Sequence, residues 1–296
     1  MYFMWYMLYT LIVIISFTVS NWLSMWTVLE LSSWIMMILT LNDSWNEVLF
    51  KMYMMLSMSS IMLILLWLQF SSQEEWILCL LAFKMGMPPL HWWVGWVMKH
   101  MKWKIMWWFT TFHKIIPMMI SLLTINSILI FWWSTTSVIW SSMSFLSSVS
   151  YFMIFFYSSC IHTSWLWLTT YNLYTFFMYV LFYTLIMYFI FMKVKHTESW
   201  TYNNEFTWMM IVLLGIPTSM MFFVKFTTLS IYLNHMTLLM WILFLMNMVT
   251  ILPYTRMIWN LMSNSLLFNN KYTSANTSIL SVFLVTSQFM LWPVSL

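Results

Sequence analysis

Charge is what this sequence has least of. Only 6% of its 296 residues are Asp, Glu, Lys or Arg, where an ordinary soluble chain carries about 25%. No stretch is therefore polar enough to be a linker, a soluble domain or a disordered tail. Glycine is also scarce, with 3 residues, and so is cysteine, with 2. Cys79 and Cys160 stand alone in apolar runs without a CxxC partner, which points to buried thiols and away from a disulfide framework. No cluster of His, Cys, Asp or Glu has metal-ligand spacing, so neither a metal site nor a bound cofactor is expected in the chain.

What is present instead is apolar length. Hydrophobic residues make up 63% of the chain and the mean hydropathy is +0.84. Runs of about 20 residues, long enough to cross a hydrocarbon core, recur from end to end. The expected class is an all-α polytopic membrane protein with about eleven spans, at approximately 3–20, 23–41, 49–70, 76–96, 105–125, 126–145, 146–165, 168–192, 207–229, 233–255 and 278–296. The first lacks a basic leader and a small-residue cleavage site and reads as a retained helix. Met and Trp are abundant, at 34 and 23 residues. An AT-rich genome with an altered code that widens both explains this, and suits a mitochondrially encoded protein.

Seven of the eleven basic residues lie in connections: Lys99, Lys102, Lys104, Lys193, Lys195, Arg256 and Lys271. Threading the chain through eleven spans puts all of them on the side where the N-terminus starts, while the opposite connections carry Glu74 and Glu75. That asymmetry is what the positive-inside rule expects. Trp92, Trp93, Trp96, Trp103, Trp107 and Trp108 surround the Lys99–Lys104 cluster as interfacial anchors, and helices this apolar exclude a nucleic-acid patch.

Four lysines remain within spans, Lys51, Lys84, Lys114 and Lys225, together with one carboxylate, Glu30. An ionisable residue at mid-bilayer costs about 2.5–3.5 kcal/mol on insertion scales, so it faces protein or water and pairs with another. Glu30, Lys84 and Lys114 fall on neighbouring spans and read either as a proton-handling set or as a static ion pair that only positions helices. Burial disfavours a lysine's charged form and a nearby carboxylate favours it, so moving the carboxylate would switch the lysine between acceptor and donor. Lys51, one turn into its helix, either snorkels to the interface or is an accessory position. His113, beside Lys114, either relays protons or packs between helices. His91 reads as interfacial, and Glu198 and Glu205 as loop residues.

The spans carrying Lys84 and Lys225 are also interrupted. Lys84-Met85-Gly86-Met87-Pro88-Pro89 breaks one, and Gly215-Ile216-Pro217 breaks the other. The breaks occupy the fourth span of the first five and the fourth of the second five. Because five is odd, a second copy enters the membrane from the opposite side. This arrangement predicts two inverted five-helix repeats, over 1–125 and 126–255, followed by a C-terminal connection and helix over 256–296. Paired broken helices point to an ion pathway, with freed backbone buried in protein or lining water.

"WTVLELS" around Glu30, "FKMGMPPLHWWV" around Lys84, "TTFHKIIP" around Lys114 and "LGIPTSMMFFVKF" ending at Lys225 occur in this order. Together they resemble the NADH dehydrogenase subunit 2 family, the mitochondrially encoded antiporter-like subunits of respiratory complex I. The resemblance implies an antiporter-like fold and a share in proton translocation driven by electron transfer from NADH to ubiquinone elsewhere in the complex. It implies that Glu30 and Lys84 form a carboxylate–lysine pair at one half-channel, that Lys114 is the central relay, and that Lys225 serves the second half-channel. Lys51 and His113 would be accessory. NADH, flavin, iron–sulfur clusters and ubiquinone are then expected in other subunits. The implied partners are other membrane-arm subunits, including antiporter-like neighbours, and inner-membrane lipids. The implied location is the mitochondrial inner membrane, N-terminus in the matrix and C-terminus in the intermembrane space. The sequence departs from the family pattern at His113, usually Gln, at Thr218 and Val224, usually Pro, and at "SFLSSVSYFM". There serines and Tyr151 stand where basic residues and a histidine are usual. A free-standing cation/proton antiporter and a membrane scaffold are the other readings of the same residues.

Overall fold

The computed structural model describes residues 2–41, 46–69, 74–122, 127–148, 150–196, 204–215, 219–232 and 237–267. Pro217 and the expected last span lie outside the described residues, as does Glu198. Among those described, no strand occurs. The helices are α1 (Tyr2–Thr18), α2 (Trp22–Thr40), α3 (Asn46–Gln69), α4 (Glu74–Met85), α5 (Trp92–Met98), α6 (Trp103–Thr110), α7 (Phe112–Ser121), α8 (Ser127–Ser147), α9 (Tyr151–Thr169), α10 (Leu173–His196), α11 (Asn204–Leu214), α12 (Met220–Tyr232), α13 (Thr237–Val249) and α14 (Ile251–Leu267). Each of the first ten expected spans falls on one of these helices or on a consecutive pair. Glu205, expected in a loop, instead falls in the first turn of α11. Among the described residues, four stretches are long and apolar enough to cross a membrane: Trp22–Thr40, Asn46–Leu68, Leu173–Met192 and Leu239–Asn260.

Small hydroxylated residues share the protein-facing sides of the helices with apolar ones. On α2, Ser32 and Ser33 are buried while Leu31 and Trp34 are exposed, and on α3, Ser59 and Ser60 are buried while Ile61 and Met62 are exposed. Lipid welcomes large apolar side chains, whereas small hydroxylated residues let helices approach closely and bond across them.

The chain packs as two compact units, Met1–Ser141 with Phe155–Tyr171, and Ser142–Ile154 with Asn172–Leu296. In the first, α7 forms the centre: it packs against α1, α2, α4 and α6, and every residue from His113 to Ser121 is buried. In the second, α10 packs on α11 and α12, and α14 on α11 and α13.

Two interruptions occur where the sequence suggests continuous helix. Between α6 and α7, Thr111 takes φ −111° and ψ −81°. The Thr111 hydroxyl donates to the Trp107 carbonyl at 2.7 Å, the kind of back-bond that bends a helix. Pro117 then deprives the His113 carbonyl of its usual donor. Between α13 and α14, Thr250 donates its hydroxyl to the Asn247 carbonyl at 2.6 Å, and Pro253 leaves the Val249 carbonyl without a helical partner.

Candidate functional site

α4 ends because Gly86 takes φ 67°. Its N–H donates to the Phe83 carbonyl and the Met87 N–H to the Ala82 carbonyl, both at 3.0 Å, the paired bonds of a Schellman stop. The indole of Trp93 also donates to the Phe83 carbonyl, at 3.1 Å, and the Cys160 thiol reaches the Gly86 carbonyl at 3.8 Å. Pro88 and Pro89, joined by a cis peptide, bring no N–H that would need a partner. The chain then turns into α5. The expected break at Gly86, Pro88 and Pro89 is therefore a real interruption, and its loose carbonyls are met by side chains from α5 and α9.

Lys84 lies in the last turn of α4, where the negative end of the helix dipole favours an ammonium. It is 1% exposed. Its Nζ stands 3.8 Å from Oε2 of Glu30 on α2, an ion pair too long for a hydrogen bond. The other carboxylate oxygen, Oε1, accepts from the Trp34 indole at 3.1 Å. Among the described residues, neither Lys84 Nζ nor Glu30 Oε2 has a hydrogen-bond partner. The charges thus face each other without being locked together.

Beyond this pair lies α7. His113 is buried, its ring stacked on Phe109 with centroids 5.1 Å apart, and its helix packs against α4, which carries Lys84. Lys114 is 2% exposed and donates to the carbonyl and the hydroxyl of Ser159 on α9, each at 3.3 Å. The first unit thus carries Glu30, Lys84 and the adjacent His113 and Lys114 on three helices, α2, α4 and α7, with α7 packed against the other two.

Lys225 belongs to the second unit. Gly215 ends α11 much as Gly86 ends α4, with φ 79° and its N–H donating to the Val212 carbonyl at 3.0 Å. Lys84 precedes its glycine in sequence and Lys225 follows its own. Nevertheless, the Lys225 ammonium returns to the break: a Cβ added to Gly215 would lie 3.6 Å from it. Lys225 donates to Asn247 Oδ1 on α13 at 2.8 Å. Sequence reading missed Asn247, because the search was for ionisable residues; the available signal was an amide inside the apolar run "LFLMNMV".

Lys51 is placed differently. Its side chain is 48% exposed and bonds Glu47 one turn back at 2.5 Å, while its Nζ stands 4.0 Å from the Trp96 ring centroid. This is the geometry of an interfacial anchor. An exposed pair within one helix turn contributes little to stability, so Lys51→Met is expected to leave the midpoint of thermal unfolding near its unsubstituted value. A large drop in that midpoint would reject the anchor role.

No family model matches the chain. NADH-ubiquinone oxidoreductase chain 2 of Artemia franciscana is 24% identical over 223 residues, 71% of this chain and 73% of that protein. A chain of respiratory complex I from Thermus thermophilus, solved with bound aureothin, has a TM-score of 0.71 at 15% identity, over 90% of this chain and 70% of its own. A chain of the membrane-bound sulfane sulfur reductase, an archaeal respiratory membrane complex, scores 0.72 at 13% identity, over 91% and 68%. A chain of the Mrp complex from Dietzia sp. scores 0.67 at 12% identity, over 79% and 55%. The structural likenesses are likenesses of fold. By sequence, then, the chain is similar to NADH-ubiquinone oxidoreductase chain 2, and by fold to chains of respiratory complex I and related membrane complexes, which bears out the resemblance carried by its four motifs.

Proposed function

We propose that the chain is a membrane-arm subunit of mitochondrial NADH:ubiquinone oxidoreductase and contributes to proton translocation through Glu30, Lys84, Lys114 and Lys225. The observation that carries this reading is the Glu30–Lys84 pair. A buried ammonium at the C-terminal end of a broken helix meets its carboxylate at 3.8 Å, in a chain similar to chain 2 of that oxidoreductase. An ion pair that only positioned helices would gain most from close, hydrogen-bonded geometry, because desolvation is otherwise poorly offset. A pair held just apart suits a lysine that must change its protonation state as the carboxylate moves.

In this reading Lys114 is the central relay and Lys225, with Asn247, serves a second half-channel. His113 assists and Lys51 is accessory at most. The chain carries no redox centre; NADH, flavin, iron–sulfur clusters and ubiquinone belong to other subunits. Its repeats run over 1–125 and 126–255, with breaks at Gly86–Pro89 and Gly215–Pro217, followed by 256–296. Its neighbours are other membrane-arm subunits, including antiporter-like ones, and inner-membrane lipids. Its N-terminus lies in the matrix and its C-terminus in the intermembrane space. The likeness to a chain of the Mrp complex supports a second reading, a free-standing cation/proton antiporter.

Gentle detergent extraction separates the two. The chain is expected to migrate with a large NADH-oxidising assembly in a native gel stained for that activity. Recovery solely as a small, self-sufficient oligomer would defeat the complex I reading in favour of the antiporter.

A further inference from the structure

α1 is a lipid-facing helix over most of its surface: Phe3, Met4, Met7, Leu8, Leu11 and Ile14 are exposed. Tyr9, Val13 and Ser16 face inward, and Tyr9 is at 0% exposure. Its ring meets the edge of Trp108, centroids 5.6 Å apart, and its hydroxyl lies 3.1 Å from Nδ1 of His113. The bond joins residues 104 positions apart and occupies one ring nitrogen of the histidine that precedes Lys114, on a helix packed against the one carrying Lys84. The other nitrogen, Nε2, is buried and, among the described residues, has no partner.

We propose that Tyr9 is a positioning residue that holds the His113 imidazole so that Nε2 passes a proton between Lys84 and Lys114. The inference rests on the proton-pathway reading above. In the resting tautomer, Nδ1–H donates to the Tyr9 oxygen and Nε2 presents a lone pair. An N–H bond of the Lys84 ammonium breaks as Nε2–H forms, directly or through one water, leaving a neutral amine and an imidazolium. The Nε2–H bond then breaks and the Lys114 amine takes the proton, restoring the starting imidazole. One proton and one charge move from Lys84 to Lys114, and Tyr9 keeps its own hydrogen throughout. Its oxygen fixes the tautomer and the ring plane, as outer partners do for a ligating histidine. Phe109, stacked on the other side of the ring, restrains it without offering a bond.

The test uses the intact complex of a genetically tractable relative, with Tyr9 and His113 present at the matching positions, reconstituted in proteoliposomes. Proton translocation per NADH oxidised is read from a pH-sensitive dye in H2O and D2O. Tyr9→Phe keeps the ring against Trp108 and removes only the hydroxyl. It is expected to lower translocation about tenfold, in the range seen when an orienting partner is lost, and to raise the solvent isotope effect as proton transfer becomes limiting. His113→Phe, which keeps the stack on Phe109 and removes both ring nitrogens, should lose at least as much. The double variant should fall no lower than His113→Phe alone, since Tyr9 acts through His113. Wild-type translocation by either single variant, an unchanged isotope effect in Tyr9→Phe, or multiplicative losses in the double variant would overturn the proposal. If Tyr9→Phe does not assemble, wild-type translocation by His113→Phe overturns it. Lys84→Met run alongside separates the two levels. Normal translocation by that variant fails the pathway reading as a whole; its loss together with an unaffected Tyr9→Phe fails only the role of Tyr9.

Discussion

Lys84→Met is expected to reduce proton translocation by more than about tenfold while the complex still assembles, since a positioned proton-transfer group contributes about 10²–10⁴-fold. Methionine matches the unbranched length of lysine and fills its place in the last turn of α4 at little packing cost. Glu30 keeps its bond from the Trp34 indole but loses its counter-charge, with Oε2 buried and unbonded among the described residues. Assembly is therefore read beside translocation, so that a lost proton step is told apart from a lost fold. Glu30→Gln approaches the same pair from the other side. It preserves the Trp34 contact and withdraws the formal counter-charge nearest Lys84, so translocation should again fall with assembly intact. The measurement is dye-reported acidification per NADH oxidised in vesicles, with assembly checked by native gel. Normal coupling in either variant would remove the pair from the pathway and leave it a packing device.

The breaks and the pair were legible in the sequence for physical reasons that do not extend to their partners. Gly86, Pro88 and Pro89 are conspicuous because glycine and proline are the residues that a spanning helix cannot absorb silently. Lys84 and Glu30 are conspicuous because a charge in hydrocarbon demands a partner, and spans two and four are near neighbours in the chain. Thr111 gave no such signal. A threonine in an apolar run continues a helix as readily as it bends one, and the direction of its hydroxyl decides which. Asn247 was passed over because an amide carries no charge, although it is the group that accepts from Lys225 at 2.8 Å. Tyr9 looked like one more aromatic beside Tyr2 and Tyr6, and its hydroxyl acquired meaning only when folding brought His113 to it. Large apolar residues lie on the outside of this chain as well as in its core, so hydrophobic periodicity located helices without revealing which side faces inward.

Gly86→Ala is expected to be the most damaging single-methyl change in the chain's first unit, and its neighbourhood says why. A left-handed φ costs a non-glycine residue about 1–2 kcal/mol, and at Gly86 the added methyl would also run into the side chain of Val94 in α5. Overpacking of that kind costs about 1–3 kcal/mol more, giving about 2–5 kcal/mol together. Gly215→Ala separates the two contributions. Its φ is equally left-handed, at 79°, but the nearest atom to the new methyl is the Lys225 Nζ at 3.6 Å, an ordinary contact. Only the backbone penalty of about 1–2 kcal/mol then applies. Pairing Gly86→Ala with Val94→Ala should recover part of the loss, because the second change opens room for the methyl but cannot alter φ. The quantity to compare is the midpoint of thermal inactivation of the assembled complex across the four variants, Val94→Ala alone included. Equal losses at Gly86 and Gly215, or no recovery in the double variant, would mean that Val94 does not confine the break. The functional consequence follows from geometry: Gly86 sets the end of the helix that carries Lys84, so a turn forced toward right-handed φ there would rotate the α4 terminus. The Lys84–Glu30 separation would then change from 3.8 Å. Any destabilised but assembled Gly86 variant should consequently lose coupling out of proportion to its lost stability, whereas a Val94→Ala variant of similar stability should not.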